Sequence, residues 1–165
     1  MRLALTLVAG MAAAASLGVS APRAQEPAPP ALAGPYYLIS ITNDALIFAA
    51  GGTVQKSGNF ATVTVITGSS PATLADTGFA RLDMSYRFDC RAGTYKTPLF
   101  AAYDTDGNFV GAVNDDSEAW EAVNPTAAAA VVMALACDGT VPENSDLSGT
   151  PQGIVSDYRD FISQQ

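Results

Sequence analysis

Hydrophobic and polar residues alternate along much of this chain, most clearly over residues 80–90. The even positions of that segment carry apolar side chains and Cys90, whereas the odd positions carry charged residues and a serine. Because successive side chains of a β-strand point to opposite faces, this pattern predicts a strand with one buried and one solvent-facing side. Cys90 belongs to the buried side. The solvent-facing set consists of Arg81, Asp83, Ser85, Arg87 and Asp89.

Five more strands are predicted from short runs of β-branched and apolar residues separated by turn signals. They cover residues 36–42, 45–50, 60–67, 94–103 and 109–113. Gly51 and Gly52 are expected to bend or bulge the second strand, and Pro98 predicts a bulge or an edge position in the fifth. Residues 68–78, rich in Ser, Thr and Gly, are expected to form a loop.

The hydrophobic period changes after residue 123, where the sequence predicts a helix. Asn124 and Pro125 have the residue types of an N-cap and a first helical position, and Asp138-Gly139 supplies a stop signal. Residues 126–137 are apolar on all sides, so the helix is expected to be buried against the apolar face of the sheet. Its length of about 18 Å is too short to cross a bilayer.

The chain termini are predicted to lie outside the β-rich domain. Arg2, an apolar stretch over residues 3–19 and small residues up to Ala24 have the organisation of a secretory signal peptide, and no basic cluster follows to favour a membrane anchor. No cysteine near the expected cut could carry a lipid, so we expect a secreted or periplasmic protein without a membrane anchor. The predicted segments are a signal peptide at 1–24, a mobile Pro-rich spacer at 25–35, the domain at 36–139, and a polar linker with a short terminal helix at 140–165.

The last of these segments allows two structures. Ile154, Tyr158, Phe161 and Ile162 recur at helical spacing within residues 151–162. The pattern is compatible with a helix docked on the domain and with a flexible tail.

Charge and residue types narrow the range of functions. Loss of Arg2 and Arg23 with the signal peptide leaves 6 basic and 16 acidic residues, a net charge of −10. This balance argues against nucleic acid and anionic membranes as partners, because both call for basic surfaces. The chain has no histidine, which removes the commonest general base and a common zinc ligand. We therefore expect no enzyme, cofactor or metal, with catalysis through Asp, Glu, Tyr or Lys as the less favoured alternative.

Cys90 and Cys137 are the only two cysteines. One lies on the buried side of the fourth strand and the other at the end of the helix expected to pack there. In an oxidising compartment such a pair is expected to form a disulfide, and a free or catalytic thiol is the alternative.

The acidic residues of the second half offer candidate cation sites. Asp104, Asp106 and Asn108 have the spacing of a calcium loop with Asp115 at position 12, but Phe109 replaces the glycine needed at position 6, so a hairpin turn is favoured. A second acidic group surrounds Trp120 and is interpreted as a solvated loop. Its members are Asp115, Asp116, Glu118 and Glu121.

Two further features allow a functional and a structural interpretation. The charged side of the fourth strand could form a paired-carboxylate site, but cross-strand partners on a solvated face are favoured. Trp120 could anchor a ligand, but a cap over the start of the helix and the core is favoured.

The order of the motifs is similar to that of a known family. Asp89-Cys90 ends the fourth strand, Tyr103-Asp104-x-x-Gly107 forms a turn, and Trp120-x-x-Val123-x-Pro125-Thr126 opens the helix that ends in Cys137. Over residues 36–138 this arrangement resembles the bacterial surface-adhesin protein E family. The family-motif residues are Asp89, Trp120, Val123 and Pro125.

The resemblance implies an α+β fold: a curved antiparallel sheet of about six strands with one buried C-terminal helix, tethered by the disulfide, on one face. It also implies an extracellular binding role rather than catalysis, with a protein or cell-envelope ligand, and a homodimer as one expected state. The favoured hypothesis is a soluble exported binding domain. The alternatives are a periplasmic structural or stress-related protein and, less favoured, a small hydrolase or inhibitor.

Overall fold

The computed structural model describes residues 27–165, which form one antiparallel sheet with three helices. The sheet has the strand order β6-β5-β4-β3-β2-β1-β8, and β7 pairs with β5. The strands are β1 (Tyr36–Ile41), β2 (Ala45–Ser57), β3 (Phe60–Ser69), β4 (Arg81–Asp89), β5 (Thr94–Tyr103), β6 (Phe109–Asn114), β7 (Glu121–Ala122) and β8 (Asp146–Leu147). The helices are α1 (Pro71–Thr77), α2 (Ala128–Met133), which continues into a π-helical turn (Ala134–Asp138), and α3 (Pro151–Ile162).

The α+β class and the antiparallel sheet are confirmed, but the described residues contain eight strands rather than about six. The two extra strands, β7 and β8, have two residues each. A two-residue strand is too short to show an alternating pattern. The predicted signal peptide lies outside the described residues. Within residues 27–165, no helix is long and apolar enough to cross a membrane.

One side of the sheet, here called the α2 face, packs against α2 and the π-helical turn. Phe88 of β4 is fully buried there, together with Val132 and Leu135 from the helical side. The disulfide between Cys90 and Cys137 is present, with the two Cα atoms 5.7 Å apart. The predicted helix on one face and its covalent tether are therefore confirmed.

The helix begins later than predicted. Its N-cap is Ala127, which makes no side-chain capping bond. The Asn124 side chain instead accepts hydrogen bonds from the backbone and hydroxyl of Thr126 at 3.0 and 2.9 Å. Asn favours such local turns, and because of this turn the helix begins only at Ala128. Burial is also incomplete, since Val131 is 37% exposed.

The opposite side of the sheet, the α3 face, is covered by a second helix. Thr150 caps α3 by accepting a hydrogen bond from the Gly153 N–H, with Pro151 in the first turn. Val155 is fully buried against this face, and a Cβ atom at Gly68 would lie only 2.7 Å from it. The Tyr158 hydroxyl donates to the Thr42 carbonyl at 2.9 Å. The terminal segment is therefore a docked helix, and the sheet has helices on both faces rather than on one.

Because α3 covers part of the α3 face, the prediction that the charged side of β4 faces solvent is wrong at two residues. Arg81 is 6% exposed and Asp83 is fully buried. Arg81 donates to both carboxylate oxygens of Asp83 at 3.0 and 3.1 Å, and its guanidinium lies 3.8 Å from the Tyr103 ring centroid. The mutual pairing satisfies the charges that burial would otherwise leave unpartnered.

The predicted loop over 68–78 contains a helix, α1. Ser70 is its N-cap and accepts from the Thr73 N–H, Pro71 occupies the first turn, and Gly78 ends it in the left-handed conformation. These are the same start signals that the sequence shows at residues 124–125. The segment has only seven residues and none of them is buried, so it has no apolar face that a periodic pattern could indicate.

Both predicted bulges are present. The pairing of β2 with β3 shifts between Ala50 and Gln55, and that of β4 with β5 shifts so that Ser85 faces Leu99 and Arg87 faces Lys96. Between these two pairs β4 advances by two residues and β5 by three, so β5 carries one extra residue, and Pro98 lies within this bulge.

Residues 31–35, here called the N-terminal strap, lie across the bulge of β2. Gly51 and Gly52 donate backbone hydrogen bonds to the carbonyls of Pro35 and Ala33 at 2.8 and 3.1 Å. The Thr64 hydroxyl donates to the Ala31 carbonyl at 2.9 Å. A Cβ atom at position 52 would lie 2.2 Å from a strap carbonyl oxygen, so this crossing requires glycine.

Candidate functional site

The α3 face is open beyond α3 and the strap, at the end of the sheet where β3, β4 and β5 meet. Arg87 lies at the centre of this open area, directly opposite Thr62 of β3 and Lys96 of β5. Trp120 reaches the same area from the loop that follows β6. The pairing of β7 with Thr94 and Tyr95 fixes the position of the chain immediately after Trp120.

Four side chains form a group here that we name the aromatic–cation cluster: Phe60, Arg87, Lys96 and Trp120. The ring centroids of Phe60 and Trp120 are 5.9 Å apart. The guanidinium carbon of Arg87 lies 5.1 Å from the Phe60 centroid and 6.0 Å from that of Trp120. The ammonium of Lys96 lies 5.6 Å from the Trp120 centroid. Both distances to Trp120 are within the range of attraction between a cation and an aromatic face.

In the described part of the chain, neither cation of the cluster has a carboxylate oxygen within 4.0 Å. Among residues 27–165, the single ion pair with atoms within 4.0 Å is that of Arg81 and Asp83. Lys96 is only 8% exposed and donates to the Asp116 carbonyl at 2.6 Å. Arg87 is exposed. The cluster thus holds two cations without a contacting carboxylate, and the charge of Lys96 contributes to lowering the pKa of the nearby Asp115.

A depression adjoins the cluster and extends it along the sheet. Its first part, about 270 Å³, is lined by Gln55, Phe60, Thr62 and Arg87 among others. A second part of about 380 Å³ shares Gln55 and Thr62 and continues to Leu99 and the N-terminal strap. Amide and hydroxyl groups therefore line a path that begins at the Arg87 guanidinium.

The acidic residues around Trp120 make separate contacts. Asp115 accepts from the backbone and hydroxyl of Ser117, and these hydrogen bonds lower the pKa of Asp115. Glu118 accepts from the backbone and hydroxyl of Thr97. In residues 27–165, no group of three or more acidic or cysteine side chains is placed to hold a metal ion.

Asp104 closes the predicted hairpin turn between β5 and β6. Its carboxylate accepts from the backbone N–H groups of Asp106 and Asn108 at 2.9 and 2.8 Å, and from the Asn108 side chain at 3.0 Å. The hydrogen bonds from Asn108 are the main reason that the pKa of Asp104 is lowered. The turn interpretation of this segment is confirmed.

The structure divides three of the four family-motif residues between two places, and the fourth, Pro125, lies exposed in the turn before α2. Asp89 accepts from the backbone of Arg91 and Ala92 and so closes the turn between β4 and β5, and the Val123 N–H donates to the Gly93 carbonyl in that turn. Trp120, in contrast, lies in the aromatic–cation cluster, 40% exposed. It does not cap α2, so the favoured interpretation of Trp120 is wrong in this respect.

The sequence gives no indication of Phe60 or Lys96 as site residues, and for Arg87 it favours a solvated role over a paired-carboxylate site. Phe60 is the first residue of a predicted strand, and nothing in the sequence indicates that its side chain is 38% exposed. Lys96 reaches the cluster only because the bulge at Pro98 shifts the register of β5.

A second exposed surface lies at the edge of the sheet, on the α2 face of β5 and β6. Phe100, Val110 and Val113 are between 39% and 53% exposed there. With Phe79 they line an apolar depression of about 240 Å³. β6 is the last strand on this side of the sheet.

These features define a disulfide-linked α+β domain with exposed aromatic and apolar surfaces. Residues 36–138 match the surface-adhesin protein E family. The chain belongs to that family, as its motifs predicted, and membership indicates a surface-adhesin-like domain with a binding role at or outside the cell surface. A comparison with curated proteins and a comparison with solved structures each found no match.

Proposed function

We propose that this protein is an exported, soluble binding domain that attaches to a protein partner outside the cytoplasm through the aromatic–cation cluster. The observation that carries the proposal is the exposure of Trp120 and Phe60 beside the unpaired guanidinium of Arg87. Trp and Arg are the residue types most enriched among side chains that dominate binding energy at protein interfaces.

The cluster is also held in place before any partner arrives. Phe60, Arg87 and Lys96 belong to three adjacent strands of the sheet, and Trp120 is fixed by the pairing of β7. A backbone that is already ordered loses little conformational entropy on binding, so more of the contact energy remains as affinity.

The apolar depression at β6 supports a binding role through a second surface. Contiguous exposed apolar residues on a soluble domain commonly mark an interaction site. A structural protein without a specific ligand, the main alternative, would have no need of either surface.

The test is a binding assay with the purified, disulfide-bonded chain. The affinity for immobilised extracellular-matrix proteins and for immobilised, purified envelope proteins is measured for wild type, Trp120→Ala, Arg87→Gln and Arg91→Gln. Arg91 is a matched control, because it is an exposed arginine in the turn after β4 and lies outside the cluster. Loss of a dominant interface residue costs about 2 kcal/mol, which corresponds to roughly 30-fold in affinity.

We expect a partner whose binding falls about 30-fold with Trp120→Ala and Arg87→Gln and is unchanged with Arg91→Gln. Urea unfolding of each variant checks that the fold is intact. Equal binding of wild type and Arg87→Gln to every partner, or binding to none of them, would contradict the proposal.

A further inference from the structure

Arg87 and Lys96 form a like-charge pair across two strands. They are direct partners in the register of β4 and β5, so their side chains project from the same face of the sheet. Like charges directly opposite each other destabilise a sheet. Among the described residues, neither Arg87 nor Lys96 has a carboxylate within 4.0 Å, so the repulsion is offset only by more distant acidic groups such as Asp115 and Asp89.

The bulge at Pro98 creates this pair. Ser85 is opposite Leu99, and without an inserted residue Arg87 would be opposite Thr97. Lys96 would then project from the α2 face, because a one-residue shift moves a side chain to the other side of the sheet. A local irregularity of the strand therefore brings the second cation to the cluster.

The contacts within the chain satisfy the two cations only in part. Lys96 donates to the Asp116 carbonyl and faces Trp120. Arg87 has two aromatic neighbours, but among the described residues its guanidinium has no carboxylate within 4.0 Å. The planar fork of N–H donors on Arg87 is consequently available to an acceptor from outside.

We infer that the aromatic–cation cluster binds a single carboxylate side chain, an Asp or Glu flanked by apolar residues, on the partner protein. This inference rests on the function proposed above. The carboxylate would pair with the Arg87 guanidinium through two parallel hydrogen bonds and offset the charge of Lys96. The flanking apolar side chains would pack on Phe60 and Trp120, and Gln55 and Thr62 in the adjoining depression would meet polar backbone groups of the partner.

The surrounding charge limits the ligand to one carboxylate. The chain without its predicted signal peptide carries a net charge of −10, and Asp89 lies on the same strand face as Arg87. A polyanion would bring further negative charges against this acidic surface, whereas a single acid flanked by apolar residues would not.

Trp120 provides a direct measurement, because it is the only tryptophan in the chain. Its fluorescence is followed while the purified, disulfide-bonded chain is titrated with a capped Leu-Glu-Leu peptide, and in parallel with capped Leu-Gln-Leu and with poly-glutamate. The titrations are repeated with Arg87→Gln and with the control variant Arg91→Gln. None of these probes contains an aromatic residue, so every signal comes from the protein.

We expect a saturable change with Leu-Glu-Leu that is at least 10-fold weaker with Leu-Gln-Leu and with Arg87→Gln, and unchanged with Arg91→Gln. Poly-glutamate is expected to bind more weakly per carboxylate than Leu-Glu-Leu. Absence of binding, equal binding of the two peptides, or tighter binding of poly-glutamate would overturn the inference. If partner binding still depends on Arg87 in that case, the proposed function stands and only the carboxylate assignment falls.

Discussion

The disulfide between Cys90 and Cys137 should supply a large part of the stability of this domain. It joins residues 47 apart in the sequence. In the chain-entropy description, closing a loop of that size restricts the unfolded chain and stabilises the fold by about 4 kcal/mol. Small domains have total stabilities of about 5–15 kcal/mol, so reduction should remove a substantial fraction.

Urea unfolding in the presence and absence of reductant measures this contribution. With a typical slope of about 2 kcal/mol per molar urea, a loss of about 4 kcal/mol moves the midpoint down by roughly 2 M. The slope should also rise on reduction, because the unfolded chain without its cross-link exposes more surface. Cys137 is part of the α2-face core, and its thiol remains packed there as long as the domain stays folded.

The control is the double variant Cys90→Ala/Cys137→Ala. It should unfold near the midpoint of the reduced wild type and should not respond to reductant. A wild-type midpoint that reductant leaves unchanged would refute the reasoning, because the cross-link would then contribute nothing that packing of the helix does not already supply.

Three further changes test the fold at other places. Phe48→Ala should cost about 3–5 kcal/mol in urea unfolding, because Phe48 is fully buried under α3, whereas truncation of the exposed Phe161 to Ala should cost less than about 0.5 kcal/mol. Gly52→Ala should cost about 1–3 kcal/mol in the same assay, because its Cβ atom would meet the backbone of the N-terminal strap, and a stability equal to wild type would contradict that close contact. Burial raises the pKa of Asp83 above 3.8, so the folded state holds the proton of this carboxyl more tightly than the unfolded state does. In urea unfolding measured from pH 3 to 7, wild type should therefore lose stability relative to Asp83→Asn as the pH rises through 3.8. A stability difference that stays constant over this range would count against the raised pKa.

The strands and the tethered helix could be predicted from the sequence because their signals are local. Alternation fixed the position of β4, and residue types around Gly51 and Pro98 indicated both bulges. The cover on the second face could not be predicted in the same way. The apolar positions of 151–162 are equally compatible with a docked helix and with a tail, and only the tertiary contacts of Val155 and Tyr158 with the sheet decide between them.

The same limit applies to the charged residues of β4. Arg81, Asp83 and Arg87 share one alternating pattern, for which the sequence favours a solvated role over a paired-carboxylate site. Arg81 lies beside Gln152 of α3 and pairs with the buried Asp83, whereas Arg87, six residues further along the chain, is exposed. Side chains of the same type on one strand face thus differ in role through a partner that is about 70 residues away in the sequence.

The candidate site was less predictable than the fold, because it is assembled across strands. The motif pointed to Trp120 but not to its neighbours. Pairing of Arg87 with Lys96 depends on the register after the bulge, and a pattern within one strand carries no information about the register with the next. A sequence can indicate that a bulge exists without indicating which side chains it brings together.

The position of the two covering helices along the chain has a consequence for biogenesis. All six long strands are synthesised before α2 and α3, so the growing polypeptide presents two uncovered apolar sheet faces until residues 128–162 emerge. Such intermediates aggregate readily. This protein should therefore depend on chaperones that hold nascent chains, and forms truncated before residue 151 should accumulate as inclusion bodies rather than as folded domains.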